Sequence, residues 1–193
     1  MGMDTDTCTA FDGERRLATG PAWKVALAVK QALEQDTSRT ILIFEDRTGR
    51  AVDFDLRGSE DEVVARLGPV EEPAETPRSP GRPKLGVVAR EVTLLPRHWD
   101  WLAGQPGGAS VTLRKLVEAA RAAGGDKDRV RQAQAAADRF MAATLGNQPG
   151  YEEASRALYA ADRGTFAARV EAWPADLREH LWRLAAPVFG GMG

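Results

Sequence analysis

Residues 69–84, PVEEPAETPRSPGRPK, hold five prolines, three acids and almost nothing apolar. Each proline locks φ and removes a backbone donor, so neither a helix nor an interior strand can run through the segment. With so little to bury, it is expected to be an extended linker that leads into a basic arm. Cores must therefore form on either side of it, over residues 1–68 and from residue 85 onward.

Charge follows a similar division. Residues 1–77 carry nine Lys/Arg against sixteen Asp/Glu, residues 78–123 eight against three, and residues 124–193 nine of each. The net charge of −2 conceals a basic middle. A basic segment points to a polyanion such as nucleic acid, while pairing of acidic and basic segments within the fold is the plainer alternative. Hydrophobic residues make up 43% of the 193, enough for one large or two small cores. No stretch is long and uncharged enough to span a membrane, and the acidic start MGMDTDTCTAFDG does not read as a secretory signal. The single cysteine, Cys8, cannot form an internal disulfide and fits a cytoplasmic location.

The N-terminal segment reads as a small α+β domain. TCTAFDGERRLA predicts two strands about Asp12-Gly13. A helix follows, with Thr19 as its cap, Pro21 in its first turn, and Trp23, Val25, Ala26, Leu27, Val29 and Leu33 on its apolar face. RTILIFEDRTGRAVDFDL predicts a hairpin turning through Asp46–Gly49, its second arm alternating Val52, Phe54 and Leu56. Ser59 and Glu62 have capping-box spacing for a last short helix, giving the order ββαββα. Beyond residue 124 the sequence predicts an Ala-rich helix and then three shorter ones. Tyr151, Leu158, Tyr159, Phe166, Val170, Trp173, Leu177, Leu181 and Trp182 would form the core of this C-terminal helical bundle.

Residues 85–123 are the most informative. In AREVTL, Arg90, Val92 and Leu94 alternate with Ala89, Glu91 and Thr93. Pro96 opens a helix in which Trp99 and Leu102 share a side, which leaves Trp101 the more exposed tryptophan. After GQPGG, Ser110 stands at the N-cap of a helix whose stripe is Val111, Leu113, Leu116, Val117 and Ala120. One strand and two short helices cannot bury that stripe alone. The simplest partner is a second copy, with the two strands pairing antiparallel.

The GRPK arm, alternating strand, short helix, glycine-rich turn and SVTLRKLVEAA helix together resemble a ribbon-helix-helix domain, the dimeric DNA-binding unit of many bacterial repressors and antitoxins. The whole chain also resembles a bacterial family catalogued as domain of unknown function 2239, notably through SPGRPKLGVVAREVTLLPRHWDWL. The ribbon-helix-helix resemblance implies a homodimer whose paired strands enter the major groove of double-stranded DNA. Glu91 and Thr93 would be the groove-facing pair, with Arg90 available should the register slip by one. Ser110 and the amides of Val111 and Thr112 would meet phosphate, and Arg82, Lys84, Arg97, Arg114 and Lys115 would add charge along the backbone. Val92, Leu94, Trp99, Leu113 and Leu116 would form the dimer core. Glu91 can accept only from a cytosine amino group and repels phosphate. A second reading is therefore a scaffold that keeps the ribbon-helix-helix fold for dimerisation alone and presents its N- or C-terminal domain to a protein partner.

No catalytic constellation is legible. The two histidines, His98 and His180, lack metal-ligand spacing and read as surface or packing residues. No nucleophile elbow, phosphate-binding loop or dinucleotide fingerprint occurs. The expectation is a protein without enzymatic activity, cofactor or metal, acting as a dimeric DNA-binding regulator.

Overall fold

The computed structural model describes residues 7–68, 88 and 90–190. Its contacts form two compact units, one joining the chain up to Pro69 with that from Lys127 onward, the other running Val70–Asp126. The protein is mixed α+β, with a three-stranded antiparallel sheet near the N-terminus followed by helices. Among the described residues no helix is long and apolar enough to cross a membrane.

In the first unit, β1 (Thr7–Asp12) and β2 (Arg15–Pro21) form a tight hairpin in which Asp12 pairs with Arg15 across Gly13-Glu14. The third strand, β3 (Ile41–Glu45), pairs with the other edge of β1. Strand alternation sends successive side chains of β1 to opposite faces, and both faces are covered. Cys8 and Ala10 meet Val25 and Val29 of α1 (Ala22–Gln35), with Ile43 from β3. Phe11 joins Phe44 on the opposite face. Helix α2 (Glu60–Leu67) packs on α1 and buries Val63. Its capping box is complete: the Ser59 hydroxyl accepts from the Glu62 amide at 3.3 Å, and the Ser59 amide donates to the Glu62 carboxylate at 2.7 Å.

Two local expectations are corrected. Thr19 does not cap α1; it lies in β2 with its hydroxyl 3.1 Å from that of Thr9, and the helix begins after Pro21 without a side-chain cap. The second arm of the later hairpin is no strand. Ala51 makes a single bridge to Phe44, and Val52 donates one hydrogen bond to the Ile43 carbonyl. Val52, Phe54 and Leu56 still turn inward onto the α1 side of the sheet, so their alternation reports burial without a continuous ladder.

The Phe11–Phe44 face of the sheet is covered by helices. They are the latter part of α4 (Gly108–Thr144), then α5 (Tyr151–Tyr159), α6 (Arg163–Val170), α7 (Ala175–Ala185) and a 3₁₀ turn at Ala186–Phe189. Ala133, Ala136, Ala137, Phe140 and Met141 form the buried stripe of α4, and Leu158, Phe166, Val170, Trp173, Leu177 and Leu181 complete the core. Phe140 binds the two layers together, with its ring centroid 5.6 Å from that of Phe11 and 4.9 Å from that of Phe44. Burying each such ring contributes about 2–3 kcal/mol. The N-terminal residues and the C-terminal helices, read from the sequence as separate domains over 1–68 and 124–193, thus share one core. Tyr159, assigned to that core from its spacing, is exposed.

His180 lies inside this core, 1% exposed, edge-on to Phe11 and Phe140 at 5.4 and 4.6 Å. Its Nδ1 is 2.9 Å from Arg183 Nη2, and its Nε2 is 3.9 Å from the Asp46 carboxylate, which already accepts from the Thr9 hydroxyl. Burial pushes the imidazole down to about 4, against the opposing pull of Asp46.

Helix α4 also departs from expectation. It runs unbroken through Gly124-Gly125, where the sequence divides two helices. Each glycine costs about 1 kcal/mol relative to alanine in a helix interior, but Ala-rich turns flank the pair and no proline interrupts it. The boundary between the two units falls at Asp126/Lys127, directly after these glycines.

Candidate nucleic-acid and dimer interface

The second unit contributes α3 (Pro96–Ala103) and the first turns of α4. Pro96 suits the first position of α3 because the amide it lacks would have no helical partner. Between the helices Gly107 and Gly108 adopt φ of +88° and +73°, a left-handed pair that residues with a Cβ rarely tolerate, and this reverses the chain. Helix α4 consequently begins at Gly108. Ser110, expected at the N-cap, lies instead within the first turn, exposed, and its carbonyl accepts from the Arg114 guanidinium at 3.1 Å.

Leu94, His98, Trp101, Leu102, Leu113 and Leu116 line an apolar cleft of about 260 Å³. Three of the residues assigned to a dimer core, Leu94, Leu113 and Leu116, therefore come together. The other two, Val92 and Trp99, do not line the cleft and are 53% and 41% exposed. Trp101 takes the place expected for Trp99, and Leu102 is the buried residue of α3. The sequence did hold the signal for this face: His98, Trp101 and Leu102 are spaced i, i+3, i+4 on one side of a helix. The polar histidine obscured it.

Among the described residues, seven of the nine exposed large hydrophobic side chains fall between residues 88 and 117. They are Val88, Val92, Leu95, Trp99, Trp101, Leu116 and Val117. Residues 88 and 90–95 form no strand within the single chain.

Of the residues expected to meet DNA, Arg90, Glu91, Thr93, Arg97, Ser110, Arg114 and Lys115 are exposed. Val111 is half-buried and the Thr112 side chain is buried, and because α4 begins at Gly108 the amides of both fall inside its hydrogen-bond ladder, so the expected phosphate contact through them is corrected. Arg82 and Lys84, with the linker and the basic arm, lie outside the described residues. Arg90, Arg97 and Lys115 form no ion pair among the described residues. Nor do three His, Cys, Asp or Glu side chains converge there so as to hold a metal ion.

A sheet clasped between helices, joined in sequence to a short helical unit with an uncovered apolar face, defines the architecture. The chain belongs to the bacterial family described as an uncharacterized protein conserved in bacteria, domain of unknown function 2239, which matches residues 7–185. No curated protein and no solved structure matches it.

Proposed function

We propose that the protein is a dimeric DNA-binding protein, a transcriptional regulator whose residues 85–123 act as a ribbon-helix-helix unit. The observation that carries this reading is the concentration of exposed apolar side chains between Val88 and Val117. A soluble monomer rarely leaves so many large apolar groups in one short segment open to water. In the proposed dimer, residues 88–95 of the two chains pair as an antiparallel ribbon, and the Leu94–Leu113–Leu116 clefts close against each other. The cations Arg90, Arg97, Arg114 and Lys115 supply the charge for phosphate contacts.

Glu91, exposed on the same segment, favours the second reading, in which the dimer is a scaffold that binds a protein through its N- or C-terminal part and does not bind DNA. A fluorescence-anisotropy titration of random-sequence duplex separates the two. Four cations from each chain amount to about eight phosphate contacts, so raising salt threefold should weaken binding roughly a thousandfold. Absence of binding at about 50 mM salt would remove the DNA reading and leave the scaffold.

A further inference from the structure

We propose that a second cleft, at the C-terminal end of the first unit, binds a small aromatic carboxylate. It encloses about 380 Å³ between Arg163, Glu179, Trp182, Arg183, Ala186 and Phe189. That volume suits a one- or two-ring molecule. Arg163 opens α6; Glu179, Trp182 and Arg183 occupy one face of α7 at i, i+3, i+4; and Phe189 ends the 3₁₀ turn.

The wall of the cleft is aromatic and already braced. Trp182 and Phe189 stand 5.5 Å apart, centroid to centroid, and Phe166 lies behind them at 5.1 Å from each, edge-on to the indole. Such a wall accepts a further ring in an offset or edge-to-face arrangement.

The charges at the rim select the other half of the ligand. Glu179 is engaged by Arg16, whose two terminal nitrogens reach its two carboxylate oxygens at 3.1 Å each. Arg183 contacts the His180 ring rather than a carboxylate, and Arg163 forms no ion pair among the described residues. Among the described residues neither guanidinium closes an ion pair, although the Glu179 carboxylate on the same rim attracts Arg183 through space, and a guanidinium fork matches the planar geometry of a carboxylate. The larger open groove beside Arg47, Arg131 and Arg139 differs in this respect. There Arg47 meets Glu45, Arg131 pairs with Asp128, and Arg139 donates to the Thr48 carbonyl.

This site lies wholly within the first unit and stands or falls independently of the dimer and of DNA. Calorimetric titration of the full chain with phenylacetate, with its neutral isostere phenylacetamide and with acetate tests it. Phenylacetate should bind saturably at one site, and each of the others at least about tenfold more weakly, since one lacks the charge and the other the ring. Arg163→Gln removes an exposed side chain with no ion pair to lose, so the fold should survive, as circular dichroism would register. The variant should weaken phenylacetate about tenfold and leave phenylacetamide unchanged. Equal binding of acid and amide, no saturation by about 10 mM phenylacetate, or indifference to Arg163→Gln would each overturn the proposal.

Discussion

Gly49 lies directly against the backbone of Ala136: a Cβ at Gly49 would stand 2.0 Å from the Ala136 carbonyl oxygen. The glycine closes the turn after β3 at φ +64°, and beside it the Thr48 carbonyl accepts from Arg139 at 2.7 Å. Through this contact the sheet meets α4 backbone to backbone, with no side chain between.

Gly49→Ala should therefore be among the most damaging small changes in the first unit. The added methyl must drive the turn away from α4, and the left-handed backbone adds its own strain. Overpacking costs about 1–3 kcal/mol and the left-handed conformation about 1–2 more. Urea unfolding should place the loss near 3 kcal/mol or above. Gly13→Ala provides the control. Its φ is +58° but nothing lies within 4 Å, so it should lose only the conformational part.

Acid should weaken the fold through His180. In the folded chain the imidazole titrates at about 4 rather than at 6.5, because burial disfavours its charged form. Between these values the unfolded chain binds more protons, so stability rises with pH through the window and is lost as pH falls through it. The stability lost on acidification, complete only below the folded value, is on the order of 3 kcal/mol. Carboxylates held low by their partners, such as Glu179 beside Arg16, also lose stability in acid, so the informative quantity is the difference between wild type and His180→Phe. Unfolding free energies measured from pH 7 down to about 4.5 should fall more steeply for wild type, and parallel curves would rule out a role for His180 in acid sensitivity.

What the sequence made legible was what neighbouring residues determine. The Ser59–Glu62 box, the Asp12-Gly13 hairpin and the three short C-terminal helices each rest on signals within a few residues of one another. The common core was hidden for the opposite reason. Cys8, Ala10 and Phe11 show that β1 is apolar on both faces, but nothing in the strand says that Phe140 and His180, far along the chain, cover one of them. Helix α4 misled because Gly124-Gly125 resembles a boundary, and only the helical context on both sides carries the chain through. At the candidate interface the apolar stripe was legible, yet the choice between Trp99 and Trp101 turned on the phase of a two-turn helix, which a polar His98 disguised.

Leu94 and Thr93 separate the two sides of the proposed ribbon. Leu94 lines the apolar cleft with Trp101, Leu113 and Leu116, whereas Thr93 is exposed. Leu94→Asp would bury a charge in each subunit of a dimer, at a cost of several kcal/mol per site, and should abolish association. Thr93→Asp should leave association intact and weaken DNA binding by adding a negative charge to the groove-facing side. Size-exclusion chromatography with light scattering reads the first effect, and the duplex titration the second.

In the proposed dimer a second copy of the chain closes the exposed apolar face between Val88 and Val117. Sedimentation equilibrium of the intact protein at about 10 µM tests it most directly, since association is governed by concentration. The protein should be a dimer at that concentration, dissociated by Leu94→Asp and unaffected by Thr93→Asp. A well-folded wild-type monomer would contradict it.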